Sequence, residues 1–211
     1  MGQILRYLRR IDRYINRKRL KNRSFSIVTN NCIGGVISHD LHLRFLSPTV
    51  NLFFENEDFI VFCEHLEYYL SLPVIEMQTD RLYPVGVLKG KYGSVKVYFM
   101  HYSGFEEAAA KWEQRSRRVD YSNLFVIMEA QRCTKELLDR FDALPFPHKV
   151  VLVAECDSRP KCSFPIKNSF YEDGYFPGKL LSYPKWGLRR YLDSFDYVTF
   201  FNEGVIRKRY V

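Results

Sequence analysis

The sequence lacks several features that would assign it to a class at once. No run of 18 or more uninterrupted apolar residues occurs and 27% of the residues are charged, which excludes an integral membrane protein built on apolar helices. The five cysteines form no CxxC pair, so they predict neither a disulfide framework nor a zinc site, and we assign no metal ligand. Free thiols are typical of a reducing compartment, and we expect the protein in the cytoplasm.

Signature motifs of common enzymes are also missing. The sequence contains no GxSxG, HExxH, P-loop, dinucleotide GxGxxG or DxD motif, and no internal repeat. The apolar residues near the N-terminus are dispersed among arginines and form no signal-peptide core. No local motif identifies a reaction or a cofactor, so the function depends on side chains that the fold brings together.

Basic residues are concentrated at one end of the chain. Residues 1–23 contain nine basic residues and one acid, whereas the other 188 residues contain 23 of each sign. The formal net charge of +8 therefore belongs to a terminal segment, and the remainder is electrically balanced. We divide the chain into a basic arm, residues 1–23, and a single α/β domain, residues 24–211. A nucleic-acid-binding face on the body is not expected.

Apolar residues in the arm recur at the spacing of one helical face, namely Ile4, Tyr7, Leu8, Ile11, Tyr14 and Ile15. Arginines occupy the other face, so the pattern predicts a basic amphipathic helix. Two interpretations have similar weight. Either the apolar stripe packs on the body, or the helix lies in the headgroup region of an anionic inner leaflet and makes the protein peripheral to the membrane. RNA binding by the arm is a third, weaker interpretation.

The body alternates buried strands with helices. The apolar runs 25–29, 123–129 and 149–154 are typical of strands covered on both faces of a parallel sheet, and Thr134 begins a helix between the last two. The runs 83–88 and 94–101 flank a Gly-containing turn and predict a β-hairpin. We therefore predict an α/β fold with an open, mostly parallel sheet flanked by helices, a β-hairpin and a long aromatic-rich C-terminal loop.

Other segments have less regular patterns. Residues 50–54 are a short strand or a buried connection, Asn56 begins a helix that ends before Pro73, and another helix begins near Gly104 with Trp112 inward. The aromatic-rich loop, residues 159–187, is either a functional lid or a cover for the sheet edge. A short helix near 188–192 and a strand at 197–201 complete the prediction.

Polar residues follow the predicted parallel strands at the edge where open α/β sheets bind ligands. Asn30 and Asn31 follow the first strand, Glu129 ends the second, and Glu155 and Asp157 follow the third. The strand at 25–29 is followed by a Gly-containing turn from Asn30 to Gly35, and a helix is predicted after this turn. The start of such a helix offers free N–H groups to a phosphate, and Gly34 and Gly35 allow close backbone approach. We predict ligand-binding roles for Asn30, Asn31, Gly34 and Gly35.

Three further side chains complete the predicted site. His101 ends the hairpin just before a helix, where a lone histidine is either structural or a general base. Glu129 is the second candidate for a catalytic base. Arg115 and Arg118 lie at the end of the Trp112 helix and are candidates to bind a phosphate or carboxylate.

Six blocks of the sequence resemble one bacterial family, DUF1919, in the family's order. They are Ser26–Gly35, Ser47–Phe53, Tyr83–Gly86, Met100–Tyr102, Glu107–Arg118 and Asn123–Val126. The resemblance covers about residues 24–200 and leaves the basic arm outside the blocks. Members of this family are often labelled as exopolysaccharide or capsule biosynthesis proteins, and the family brings no established catalytic residues to carry over.

The resemblance implies two kinds of function. The first is a group transferase, glycosyltransferase-like or of another kind, that acts in surface-polysaccharide assembly at the cytoplasmic membrane face. It would move a group from a nucleotide-activated donor to a lipid-linked glycan. The second is a non-catalytic accessory protein that binds glycan or a membrane-bound partner through the aromatic-rich loop.

Overall fold

The strands form two separate sheets in the computed structural model, which describes residues 2–130, 134–153, 160–166 and 179–209. A four-stranded parallel sheet has the order β1-β5-β6-β7, and a three-stranded antiparallel sheet has the order β2-β3-β4. The strands are β1 Ser26–Thr29, β2 Ile75–Met77, β3 Val85–Gly90, β4 Gly93–Tyr98, β5 Leu124–Ala130, β6 His148–Val153 and β7 Ser163–Pro165.

Helices cover both faces of the parallel sheet. They are α1 Gly2–Arg19, α2 Ile33–Leu41, α3 Asn56–Glu64, α4 Leu66–Ser71, α5 Phe105–Ser116, α6 Lys135–Ala143 and α7 Tyr197–Glu203. Short 3₁₀ turns occur at Tyr121–Asn123, Lys179–Leu181 and Tyr191–Ser194. Helix α6 joins β5 to β6 in a β-α-β unit, as its Thr134 cap predicted, since the Thr134 hydroxyl accepts from the Leu137 N–H.

Alternate residues of the parallel strands enter two different cores. In β5, Val126 and Met128 pack with α3, α4, α5, α6 and the antiparallel sheet, whereas Phe125 and Ile127 pack with α2 and α7 on the opposite face. A strand buried on both faces needs apolar residues at every position, because successive side chains point to opposite sides. The predicted α/β class with a parallel sheet flanked by helices is therefore confirmed.

The predicted hairpin is present and carries an additional strand. β3 and β4 pair across Lys91 and Tyr92, where Gly93 adopts a φ of 121° that glycine tolerates. The extra strand, β2, pairs with the outer edge of β3 over only three residues. Its brevity leaves no alternating pattern in the sequence, so periodicity missed it.

Three local predictions differ from the structure, and for a fourth the structure decides between the two predicted alternatives. The helix after Asn56 is two helices, because the chain breaks its helical course at His65, with φ −133° and ψ 42°. Residues 50–54 are a buried connection joined to β4 by one isolated bridge. The short helix predicted near 188–192 is a 3₁₀ turn that begins later, at Tyr191.

The strand predicted at 197–201 is wrong, because this segment is helix α7. Asp196 caps its N-terminus by accepting from the Thr199 N–H at 3.2 Å, and Gly204 ends it with a left-handed φ of 70°. β-Branched and aromatic residues favoured a strand in the sequence. The caps and the burial of nearly the whole helix against the sheet outweigh that local preference.

Helix α1 is fastened to the body through its charged face. Asp12 accepts hydrogen bonds from Arg189 and Arg209 at 2.8–3.1 Å, and Arg19 donates to Asp196 at 2.6 Å. The interpretation in which the apolar stripe of the arm packs on the body is therefore wrong. No helix in the described ranges has the length and apolar character needed to cross a bilayer.

Several predictions fall on parts of the chain that the structure does not describe. Glu155 and Asp157 lie outside the described residues. So do residues 167–178, which form the central part of the predicted aromatic-rich loop.

Candidate functional site

A cavity of about 790 Å³ opens at the carboxyl edge of β1 and β5. The turn between β1 and α2, the start of α3, the segment before β3 and the turn after β4 line it together with β5 and α6. This is the edge at which open α/β sheets bind ligands. The polar and charged residues of the lining are Asn30, Asn31, Glu55, Asn56, Glu57, Arg81, Tyr83, His101 and Glu129.

Asn30 links the end of the edge strand β1 to the neighbouring strand β5. Its side-chain oxygen accepts from the Glu129 N–H at 2.9 Å, and its side-chain NH₂ donates to the Glu129 carbonyl at 2.9 Å and to the Asn56 side chain at 3.1 Å. Its own carbonyl accepts from the Phe54 N–H at 2.8 Å. Asn30 is 4% exposed, and these bonds hold the cavity floor together. The predicted ligand-binding residue is thus engaged in the framework of the site.

Asn31 and Glu129 form a polar pair at the cavity wall. The Asn31 side-chain NH₂ donates to the Glu129 carboxylate, and its oxygen accepts from the Ile33 N–H at 3.0 Å, which fixes the start of α2. The Thr29 hydroxyl donates to the backbone carbonyl of Asn31 at 2.6 Å, so both the backbone and the side chain of Asn31 are held in place. The buried Glu129 carboxylate is therefore held by Asn31 at the cavity wall.

Two helices begin at the cavity, and at the start of α2 the Asn31 side chain accepts a hydrogen bond from the Ile33 N–H. The N-termini of α2 and α3 contribute residues to the lining, and neither Cys32 nor Glu55 at the cap position bonds the first turn with its side chain. α3 carries Glu57 and Asp58 in its first turn, whereas α2 carries no acid there. The positive end of the α2 dipole therefore favours an anionic group in this part of the cavity.

Arg81 supplies the cation of the cavity, whereas the sequence pattern predicted this role for Arg115 and Arg118. It is exposed, donates to the Tyr83 hydroxyl at 3.3 Å and lies 5.8 Å from the centre of the Tyr98 ring. Phe53 stacks on Tyr98 at 4.5 Å and contacts Tyr83 edge-on at 6.2 Å. An arginine beside an aromatic wall suits a ligand that combines a phosphate with a ring.

His101 lines the same cavity from the turn after β4 and is exposed. The neighbouring Tyr102 anchors this turn, because its hydroxyl accepts from the Arg115 guanidinium at 2.8 Å. Arg115 also donates to the Val50 carbonyl at 3.4 Å and does not line the cavity. Its contacts make Arg115 a positioning residue for the His101 turn.

The remaining predicted ligand-binding residues lie elsewhere. Arg118 follows the last turn of α5, away from the lining. Gly34 and Gly35 pack inside the fold, because a Cβ on Gly34 would lie 2.9 Å from the Thr29 methyl and one on Gly35 would lie 3.3 Å from Val50. These glycines allow α2 to approach β1 closely, which places the helix start at the cavity.

Two lining residues have restricted chemistry. Burial raises the pKa of Cys32, whose thiol donates to the Leu52 carbonyl at 3.8 Å, so this thiol stays protonated near neutral pH and is a poor nucleophile. Glu57 accepts from Arg140, which also binds Glu64 through two hydrogen bonds at 2.9–3.0 Å. This charge cluster ties α3 to α6 at the rim.

Only part of this lining was predictable from the sequence. Asn30, Asn31, Glu129 and His101 were predicted as site residues and line one cavity. Arg81 lies in an irregular segment without periodicity and carries no motif, so no local signal identified it. In the described ranges, no group of three His, Cys, Asp or Glu side chains is arranged to hold a metal ion.

Two comparisons place the chain among known proteins. The family model described as "Domain of unknown function (DUF1919)" matches residues 4–202. An uncharacterized protein of Haemophilus influenzae is 35% identical over 195 residues, which cover 92% of this chain and 91% of that protein. The match includes nearly all of α1, so our expectation that the arm lies outside the shared sequence is wrong. The chain belongs to the DUF1919 family.

Proposed function

We propose that the protein is a group transferase that binds a nucleotide-activated donor in the cavity at the carboxyl edge of β1 and β5. One observation carries the proposal: this cavity combines an oriented carboxylate, a cation, an aromatic wall and a helix start whose N-cap residue makes no side-chain bond to the first turn. The α2 N-terminus and Arg81 would hold the diphosphate of the donor. Phe53 and Tyr83 would contact its base or sugar ring.

The transfer step follows from these positions. Glu129, oriented by Asn31, takes the proton of an acceptor hydroxyl. The acceptor oxygen then forms a bond to the electrophilic carbon of the donor. The bond from that carbon to the phosphate oxygen breaks, and the diphosphate leaves with the electron pair, stabilised by Arg81 and the helix start.

His101 is the second candidate for the base, since it lines the same cavity. The variants Glu129→Gln and His101→Gln separate the two. Loss of the true base lowers kcat steeply, whereas loss of the other group leaves most of the turnover. The polysaccharide setting and the lipid-linked glycan acceptor are proposals that derive from the family resemblance. Such an acceptor requires the protein to reach a bilayer surface.

A thermal-shift screen with nucleotide sugars, nucleoside diphosphates and acyl donors, with and without Mg²⁺, tests the proposal. A ligand at 100 times its Kd stabilises the folded state by about 2.7 kcal/mol, which is readily measured. Asn31→Ala and Arg81→Ala should abolish the shift, and the exposed Arg117→Ala, which removes a surface pair with Glu113, should retain it.

The accessory function is the alternative that the same aromatic wall favours, because stacking rings also bind glycans without chemistry. The accessory function would be favoured over the transferase if a glycan raised the melting temperature, no activated donor did so, and no turnover was detected. Turnover that is lost in Glu129→Gln while the donor still binds would instead support the transferase.

A further inference from the structure

The contacts that fasten α1 to the body lie on one side of the helix. Arg9 donates to the Gly187 carbonyl at 2.9 Å, Asn16 donates to the Tyr197 hydroxyl at 3.0 Å, and Arg17 donates to the Asp40 carbonyl at 2.7 Å. With Asp12 and Arg19, these residues form the docked face. At about 100° per residue they occupy one half of the helical circumference.

The opposite half of α1 is an apolar stripe that no described residue covers. All six of its members are at least 38% exposed, and Ile4, Tyr7 and Tyr14 exceed half; the stripe consists of Ile4, Tyr7, Leu8, Ile11, Tyr14 and Ile15. An amphipathic helix that packs on its own domain normally buries this face. Here the charged face is buried and the apolar face is displayed, which marks an interaction surface.

The charges around the stripe have one sign. Lys18 is exposed on the stripe and Arg10 is exposed beside it, Arg6 is exposed nearer to the docked face, and Lys21 and Arg23 are exposed just after the helix. Asp12 is the only acid among residues 1–23, and its carboxylate is held by Arg189 and Arg209 on the docked face. The displayed surface therefore combines apolar side chains with cations and carries no compensating negative charge.

A second copy of the chain fits this surface poorly, because two such stripes would bring their cations together. A bilayer with anionic headgroups fits both features, since acyl chains accept the apolar residues and the headgroups accept the cations. Tyr7 and Tyr14 suit the headgroup level, where tyrosine is enriched. The Gly187 carbonyl accepts a hydrogen bond from Arg9 of α1, and the residues on either side of Gly187, Trp186 and Leu188, are also exposed.

We propose that the outward face of α1 binds the surface of an anionic bilayer, with the helix lying in the plane of the interface. The charged face stays bonded to the body, so the whole domain is held rigidly at the membrane. This surface is separate from the cavity and would bind lipid even if the cavity bound no donor. It deepens the proposed function by supplying the access that a lipid-linked acceptor requires.

Co-sedimentation of the full chain with vesicles tests the proposal. We expect binding to phosphatidylcholine vesicles that contain 30% phosphatidylglycerol, at least tenfold weaker binding to pure phosphatidylcholine, and weakening by 0.5 M salt. The stripe variant Tyr7→Ser/Ile11→Ser/Ile15→Ser should lose at least 90% of the binding. The charge variant Arg6→Gln/Arg10→Gln/Lys18→Gln should weaken it at least fivefold.

Matched controls replace equally exposed residues elsewhere. Ile75→Ser/Tyr121→Ser/Val205→Ser removes three exposed apolar side chains, and Lys89→Gln/Lys91→Gln/Lys96→Gln removes three exposed cations. Both controls, and the cavity variant Asn31→Ala, should bind anionic vesicles like the parent chain. Failure of the donor screen with retained vesicle binding would contradict the transferase alone.

Several results would overturn the proposal. These are no binding of the parent chain to anionic vesicles, or binding that the stripe variant retains. A parent dimer in solution that the stripe variant converts to a monomer would identify a second copy as the occupant. Competition by RNA that displaces the protein from vesicles, with equal RNA affinity in the stripe variant, would identify nucleic acid instead.

Discussion

Replacing Asn30 by alanine should cost much more stability than replacing its neighbour Asn31. Asn30→Ala leaves the N–H and the carbonyl of Glu129, both inside the fold, without their side-chain partner. Each buried group that loses its partner costs about 1–3 kcal/mol, so for two groups we expect a loss of about 2–6 kcal/mol in the free energy of unfolding. For a chain of this length, that corresponds to a melting temperature lower by about 4–24 °C.

Asn31→Ala is the matched control, because the same residue type is removed one position away. It loses the bond to the Ile33 N–H and the contact with Glu129 in a half-buried setting, and we expect a cost of about 1 kcal/mol. Urea unfolding at pH 7, followed by circular dichroism, measures both values. Equal unfolding free energies for Asn30→Ala and the parent chain, at an unchanged m-value, would refute the stabilising role that we assign to the hydrogen bonds between Asn30 and Glu129.

Three further predictions concern ion pairs and close packing that stabilise the fold. Arg190→Met should destabilise the protein by about 3–5 kcal/mol in urea unfolding, because it removes the buried cation that two buried carboxylates, Asp40 and Asp193, share. The exposed Arg207→Met should cost about 1 kcal/mol or less, and similar costs for the two variants would contradict a buried ion-pair network. Gly34→Ala should lower stability by about 1–3 kcal/mol, since its Cβ would lie 2.9 Å from a β1 methyl group. Gly104→Ala has open space around it and loses only the N-cap preference of α5 for glycine over alanine, so it should cost about 0.5–1 kcal/mol in the same assay. Burial acts to raise the pKa of Asp196, but hydrogen bonds from Arg19 and Thr199 outweigh burial and lower that pKa. The stabilisation by Asp196 is therefore present above the ordinary aspartate pKa of about 4 and is lost as the pH falls below it. Asp196→Asn should show a shallower acid dependence of the melting temperature, and an identical slope would contradict this assignment.

The sequence predicted the elements whose pattern is local. The three long strands of the parallel sheet are continuous apolar runs, and Thr134 marks the start of α6, so periodicity and capping were sufficient. α7 was missed because five β-branched and aromatic residues favour a strand, while the decisive forces are the Asp196 cap and burial against the sheet. β2 is too short to leave a pattern.

The candidate site was half predictable for a topological reason. Parallel strands bring their carboxyl ends to one edge, so strand assignment alone places Asn30, Asn31 and Glu129 together. Arg81 reaches the cavity through the path of an irregular segment before β3, which only the tertiary structure specifies. Arg115 has a suitable charge in the sequence, yet the Tyr102 hydroxyl and the Val50 carbonyl engage it outside the cavity.

Helix α1 separates what the sequence determined from what the tertiary structure decided. Spacing in the sequence determined that the arm is helical, that one face is apolar and that it holds the excess positive charge. It did not determine which face meets the body. That choice depends on distant residues such as Asp40, Asp196 and Arg209, whose charges pair with the polar face. Because ion pairs and hydrogen bonds with these residues hold the charged side, the apolar side remains outward.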